Sequence, residues 1–152
     1  MLTSVLRGVR VGEVMNPKPA IVAADISLQQ LVDAYFLPSG LRYALVMQGE
    51  KLVGLITLSD IRHIPRDQWG QVPVDQAMIP LARLHVATPQ QNLSEVLPLM
   101  AGRDVNQLPV VENGAPVGIL SRDAIMQYLE VRQSLGAEKA QSGTHDQLSH
   151  AV

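Results

Sequence analysis

The chain has no cysteine. Disulfides, thiolate-bound zinc and thiol catalysis are therefore excluded, and a reducing compartment is permitted. Aromatics are scarce: three tyrosines, one tryptophan and one phenylalanine in 152 residues. That is too few for a platform on which bases stack. An excess of one charge is missing too. Twelve Lys and Arg stand against fourteen Asp and Glu, for a net charge of −2. Without a basic field to hold a polyanion, a dedicated nucleic-acid binder is not expected. Long apolar runs are absent. Stretches such as Val53-Gly54-Leu55-Ile56-Thr57-Leu58 fall far short of the ~18 residues that span a bilayer. Met1-Leu2-Thr3-Ser4 opens neither the basic start nor the apolar run of a signal peptide. These absences predict a soluble, cytoplasmic chain with no direct membrane insertion. What is plentiful is aliphatic: 47% of residues are hydrophobic and 17% charged. That suffices for a packed core in one domain or two small units.

The chain repeats itself. Val11-Gly12-Glu13-Val14-Met15-Asn16-Pro17 returns as Val74-Asp75-Gln76-Ala77-Met78-Ile79-Pro80, an offset of 78 − 15 = 63. Val53-Gly54-Leu55-Ile56-Thr57 returns as Val117-Gly118-Ile119-Leu120-Ser121, an offset of 118 − 54 = 64. A period above 60 suits a tandem pair of small domains rather than a short solenoid repeat.

Each copy reads as β-α-β-β-α. A short strand (Ala20–Ala23, then Leu84–Ala87) precedes a helix. The helical apolar positions are Leu28, Leu31, Val32 and Tyr35, then Leu93, Val96, Leu97 and Met100. Both sets follow i, i+3, i+4, i+7. Ser27 with Gln30, and Asn92 with Glu95, supply capping-box chemistry at the two starts. Pro38 is expected to close the first helix and Pro98 to kink the second. Hairpins follow, turning at Gln48-Gly49-Glu50 and at Asn113-Gly114, the latter a strong hairpin signal. Last helices begin near Ser59 and Arg122, the second running to about Leu135. The expected layout is repeat one over 9–66, a linker over 67–73, repeat two over 74–135 and a disordered tail over 136–152. A unit of ~60 residues leaves a sheet face uncovered, so the two copies are expected to pack together about a pseudo-twofold axis. Trp69 is read as packing against the joint.

The Val-x-x-x-Met start of each copy, Val105-Asn106-Gln107-Leu108-Pro109-Val110-Val111 and Gly54-Leu55-Ile56-Thr57-Leu58-Ser59-Asp60 resemble the CBS-domain pair, or Bateman module. The resemblance covers roughly residues 9 to 133. A finer one, in Tyr35-Phe36-Leu37, Ile64-Pro65-Arg66-Asp67-Gln68-Trp69 and Arg103-Asp104-Val105-Asn106-Gln107, is to the CBS pair attached to site-2-type intramembrane zinc proteases. The chain has no His-Glu-x-x-His motif, so the protease chemistry itself is not expected in it. A membrane-bound protease as partner or parent chain is what this kinship implies.

The resemblance also implies a site. Thr57 and Asp60 lie where a strand ends and a helix begins. Free N–H groups there suit phosphate, and a carboxylate can hold a ribose diol. The family's pattern then implies an adenine nucleotide (AMP, ADP or ATP) facing Ala77, Met78, Ala82, Val105 and Asn106 of the partner copy. The same Thr57-Leu58-Ser59-Asp60 is also a capping box, which a helix start needs with or without a ligand. Copy two departs from the pattern: Ser121 is present, but Ala124 stands where Asp60 would be and the acid moves to Asp123. One residue is ~100° of helical rotation, so Asp123 is expected to face elsewhere. A second, weaker cleft would draw on Val14, Met15, Ala20, Leu41, Arg42, Tyr43 and Ser121.

His63, His85, His145 and His150 match no metal-ligand spacing. No nucleophile elbow is visible, and the chain is read as a non-enzyme. Two functions remain: a regulatory module that senses an adenine nucleotide or adenosyl metabolite, and a structural dimerisation module with empty clefts. The resemblance implies a homodimer that buries the helices carrying Leu31, Tyr35, Leu97 and Met100.

Overall fold

The computed structural model describes residues 6–101 and 105–149, with side-chain surroundings described as far as residue 136. The first copy comprises α1 (Val11–Val14), β1 (Ile21–Ala23), α2 (Leu28–Leu31), a π-turn (Val32–Phe36), α3 (Leu37–Ser39), β2 (Tyr43–Gln48), β3 (Lys51–Thr57) and α4 (Leu58–Arg62). The second comprises α5 (Val74–Ala77), β4 (Ile79–Pro80), α6 (Leu93–Met100), β5 (Gln107–Glu112), β6 (Ala115–Ser121) and α7 (Arg122–Ser149). The result is an α+β fold of two tandem β-α-β-β-α repeats. One sheet has the order β1-β2-β3-β4 and the other is the hairpin β5-β6.

The hairpins form as their turn residues dictate. Gly49 (φ 64°) turns the first, and Asn113 (φ 54°) with Gly114 (φ 81°) turns the second. Two successive positive φ values match the twist of the flanking strands. Their registers are equivalent: Tyr43 pairs with Thr57, and Gln107 with Ser121.

Among the described residues three clusters form the core. One belongs to copy one and includes Val22, Leu28, Leu31, Phe36, Val46, Ile56 and Ile61. One belongs to copy two and includes Leu93, Val96, Leu108, Val110, Leu120 and Ile125. The third joins the copies, with Leu45, Leu52 and Leu55 against Ile119. The opening segments are exchanged. Val74 at the start of copy two is buried in the core of copy one. Val11 and Val14 at the start of copy one are buried in the core of copy two. Each exchange brings a methionine over a strand glycine. A Cβ on Gly54 would lie 2.5 Å from Met78 Sδ, and one on Gly118 would lie 2.7 Å from Met15 Sδ. Trp69 packs on the core of copy one and donates Nε1–H to the Ile64 carbonyl at 3.0 Å.

Several expectations need correction. The strand expected over Leu84–Ala87 is a single bridge, Ala87 to Val110. In copy one, Leu45 donates its N–H to the Ala20 carbonyl at 2.9 Å. The residue equivalent to Leu45 is Pro109 (109 − 45 = 64), which has no N–H to give. In the first helix the core residue is Phe36, 4% exposed, and not Tyr35, 36% exposed. The π-turn adds a residue, which Leu37 N bonding to the Val32 carbonyl makes explicit. It lowers the repeat offset by one, from 93 − 28 = 65 before it to 100 − 36 = 64 after it. Gly40 (φ 64°), rather than Pro38, ends this helix. Pro98 sits inside α6 without ending it. Ser27 and Gln30 form their reciprocal box at 3.1 Å, but the Asn92 side chain makes no cap bond. The chain past Leu135 is helical to Ser149, consistent with the strong helix formers Ala137, Glu138, Lys139, Ala140 and Gln141. Residues 150–152 of the expected disordered tail lie outside the described residues. Of the residues expected on a dimer face, Leu31 and Met100 are core and Leu97 is half-buried. Among the described residues the exposed large apolar side chains are Ile21, Tyr35, Leu37, Leu81, Val86, Met126, Val131 and Leu135.

Candidate functional site

β3 ends at Thr57, whose extended backbone (φ −125°, ψ 165°) turns directly into α4. Thr57 Oγ1 accepts the Asp60 N–H at 3.2 Å. One carboxylate oxygen, Asp60 Oδ2, accepts both the Thr57 N–H and the Thr57 hydroxyl, each at 2.9 Å. The capping box is thus fully assembled, and half of the Asp60 carboxylate is committed to it.

Thr57 and Asp60 open onto a cleft of about 480 Å³ between the copies. Copy two supplies Val105, Asn106 and Gln107, and the segment after α5 supplies Ile79, Arg83 and Leu84. Ile79 is placed by β4, where it pairs with Leu55. The copy-two wall is braced by Arg122: its Nε donates to Asn106 Oδ1 at 3.1 Å, and its Nη2 donates to the carbonyls of Met100 at 2.6 Å and Val105 at 2.9 Å.

Thr57, Asp60, Val105 and Asn106 therefore share one cleft, whereas the other expected residues are placed elsewhere. Ala77 and Met78 are half-buried against the core of copy one. Ala82 lines a separate apolar groove with Lys51, Leu52 and Val53. The 3₁₀ turn Leu81–Arg83 accounts for this, presenting Arg83 to the cleft and Ala82 to the groove. Among the described residues three arginines, Arg42, Arg62 and Arg83, line the cleft. The sequence reading missed Arg62 and Arg83. Arg62 carried no spacing signal, because two residues on from Asp60 is ~200° of helical rotation. Arg83 carried none.

The second cleft is smaller, about 270 Å³, and polar. Of the seven residues expected there, Arg42 and Ser121 line it, joined by Asn106, Gln107, Arg122 and Asp123. Val14 is core, and Met15 lies half-buried over Gly118. Ala20 and Leu41 pack on the core of copy one, and Tyr43 on the cluster between the copies. Ser121 is buried and caps α7, accepting the Ala124 N–H at 3.1 Å. Asp123 points to Arg42, with 2.5 Å between Oδ2 and Nη2. Among the described residues no group of three or more His, Cys, Asp or Glu could hold a metal ion. Among them, too, no helix is long and apolar enough to cross a membrane.

The model of the CBS domain family matches residues 11–67 and again residues 74–131. A Synechocystis sp. protein named "Putative zinc metalloprotease sll0528" is 26% identical over 117 residues, 75% of this chain and 31% of that protein. The chain thus spans about a third of the length of the curated relatives it matches. Among solved structures, a protein of Vibrio cholerae named "putative acetoin utilization protein (AcuB)" superposes with a TM-score of 0.73 at 19% identity, over 86% of this chain and 96% of that one. CBSX2, solved in complex with AMP, superposes with a TM-score of 0.68 at 23% identity, over 82% of this chain and 99% of that one. At these identities the two structures speak for the fold. The two family matches account for most of the chain, and it belongs to the CBS domain family as a tandem pair.

Proposed function

We propose that the pair is a regulatory module that binds an adenine nucleotide (AMP, ADP or ATP) or a related adenosyl metabolite, without catalysis, and controls an attached or associated protein. The observation that carries this reading is the cleft between the copies, which gathers Thr57 and Asp60 from one copy with Val105 and Asn106 from the other. Its size lies in the ordinary range for small-molecule sites. Ile79, Leu84 and Val105 offer apolar contact to a base. Asp60 Oδ1 is available to a ribose hydroxyl, while Oδ2 serves the cap. Arg42, Arg62 and Arg83 supply positive charge for phosphate. The AMP-bound CBSX2 structure supports the choice of ligand class.

A ligand that touches both copies favours the arrangement in which they close on it, by its differential affinity alone. A coupling of ~1–3 kcal/mol is enough for regulation. The curated relatives make a membrane-bound zinc metalloprotease the first partner or parent chain to test. We take the working form to be a homodimer inside the cell, with Tyr35, Leu37, Met126, Val131 and Leu135 as the apolar surface available for pairing.

Thermal-shift titration with AMP, ADP, ATP and S-adenosylmethionine tests the reading. A ligand at ~100 times its Kd stabilises by about 2.7 kcal/mol. Asp60→Ala should weaken binding by about tenfold or more, through loss of a charge-assisted bond worth ~1.5–3 kcal/mol. No shift with any of these ligands overturns the proposal. The second reading, a structural module with empty clefts, is favoured by one observation: Thr57 and Asp60 already satisfy each other.

A further inference from the structure

Arg42 lines both clefts. Its repeat equivalent is Asn106 (106 − 42 = 64). The two backbones do the same local work, the Arg42 carbonyl accepting Leu58 N–H at 3.0 Å and the Asn106 carbonyl accepting Arg122 N–H at 2.8 Å. Both residues line both clefts and stand where these meet. Their side chains differ. Asn106 is held by Arg122 within its own copy, whereas Arg42 reaches across to Asp123 of the other copy. Asp123 is equivalent to Ser59 (123 − 59 = 64), so the equivalent pair, Asn106 and Ser59, has no charges to form such a tie.

The Arg42 and Asp123 side chains are 64% and 65% exposed. An ion pair so exposed is weak and easily exchanged. A phosphate offers a guanidinium more charge and more acceptor oxygens than a carboxylate does. We propose that Asp123 competes with the phosphate of a ligand in the Thr57–Asp60 cleft for the guanidinium of Arg42. Capture of Arg42 by the ligand then releases a tie between the copies. Asp123 is a specificity-determining group that acts through Arg42: it lowers affinity for a phosphorylated ligand and leaves affinity for the nucleoside alone. The inference rests on the nucleotide reading of that cleft.

Calorimetry on the full chain tests it, with AMP and adenosine as probes of the wild type, Asp123→Asn, Arg42→Gln and the double variant. Circular dichroism confirms that each variant is folded, and both positions are exposed. Asp123→Asn should tighten AMP about two- to five-fold, the range of an exposed ion pair, and leave adenosine unchanged. Arg42→Gln should weaken AMP, and Asp123→Asn should add nothing in that background, which is the signature of a coupled pair. If AMP binds the wild type but Asp123→Asn leaves its affinity unchanged or lower, this inference falls and the nucleotide reading stands. The same holds if the gain persists without Arg42. If no nucleotide binds the wild type, both fall.

Discussion

Gly54→Ala probes whether the exchanged segment is tightly seated on β3. Gly54 pairs with Pro80, and a Cβ on it would stand 2.5 Å from the Ile79 carbonyl oxygen and 2.5 Å from Met78 Sδ. The thioether is flexible and can swing aside. The carbonyl belongs to β4, which is held on β3 through Gly54–Pro80 and Leu55–Ile79. Relief therefore requires β4 to move. Overpacking of this kind costs ~1–3 kcal/mol. Losing one net backbone hydrogen bond as β4 peels away adds ~0.5–1.5 kcal/mol. Together they give a destabilisation of about 1.5–4.5 kcal/mol. Gly70→Ala is the control, because its added Cβ would meet nothing within 4 Å. It should fall within ~0.5 kcal/mol of wild type. Urea unfolding reads both, with the m-value checked for constancy. For a chain of this size each kcal/mol moves Tm by about 2–4 °C. Because Ile79 lines the cleft, Gly54→Ala should also weaken nucleotide binding. A Gly54→Ala midpoint indistinguishable from that of Gly70→Ala would refute the tight seating.

Thr57→Ala removes the side-chain cap of α4 and should cost ~1 kcal/mol in urea unfolding, whereas Thr57→Ser, which keeps the oxygen, should cost little. Val131→Glu with Leu135→Glu places charge on exposed apolar positions of α7. In light scattering the wild type should be a dimer and the double variant a monomer, and a wild-type monomer at micromolar concentration would exclude the dimer.

The repeat, both hairpins and the Thr57–Asp60 box were legible because each is written in local chemistry. Asn113-Gly114 specifies its turn in two residues, and Thr57 specifies its cap within four. The misses have physical causes. Tyr35 continues the apolar face only if a 3.6-residue period runs uninterrupted, and one π-turn rotates Phe36 into its place. The apolar residues of Leu84–Ala87 suggest a first strand in copy two, but Pro109 on its partner has no N–H to donate. Ala77, Met78 and Ala82 match cleft positions of the family pattern, but a helix, a bridge-length strand and a 3₁₀ turn between 74 and 83 decide where each side chain goes. Arg83 belongs to no periodic pattern, so nothing local marks it.

The exchange of opening segments was the least legible feature, because a repeat does not say which copy its own start packs against. It makes a sharp prediction about fragments. A fragment cut at the repeat boundaries, 9–66, carries Val11 and Val14, which belong to the core of copy two, and lacks Val74, which belongs to the core of copy one. It also lacks Trp69, Val72, Ala77 and Met78, all packed on that core. A fragment over 20–80 contains this core, the segment that covers it and the β4 strand that extends its sheet. Fully burying one valine is worth ~1.5–3 kcal/mol. A unit of ~60 residues has little stability to spare, so the loss of Val74 and its neighbours decides whether it folds. The 20–80 fragment should show dispersed amide resonances and cooperative urea unfolding, and the 9–66 fragment neither. Equal cooperativity and equal midpoints would mean that α5 and β4 rest on copy one without stabilising it. In that case the wall that Ile79 presents to Thr57 would be loosely held, and a rigid cleft between the copies would lose its structural basis.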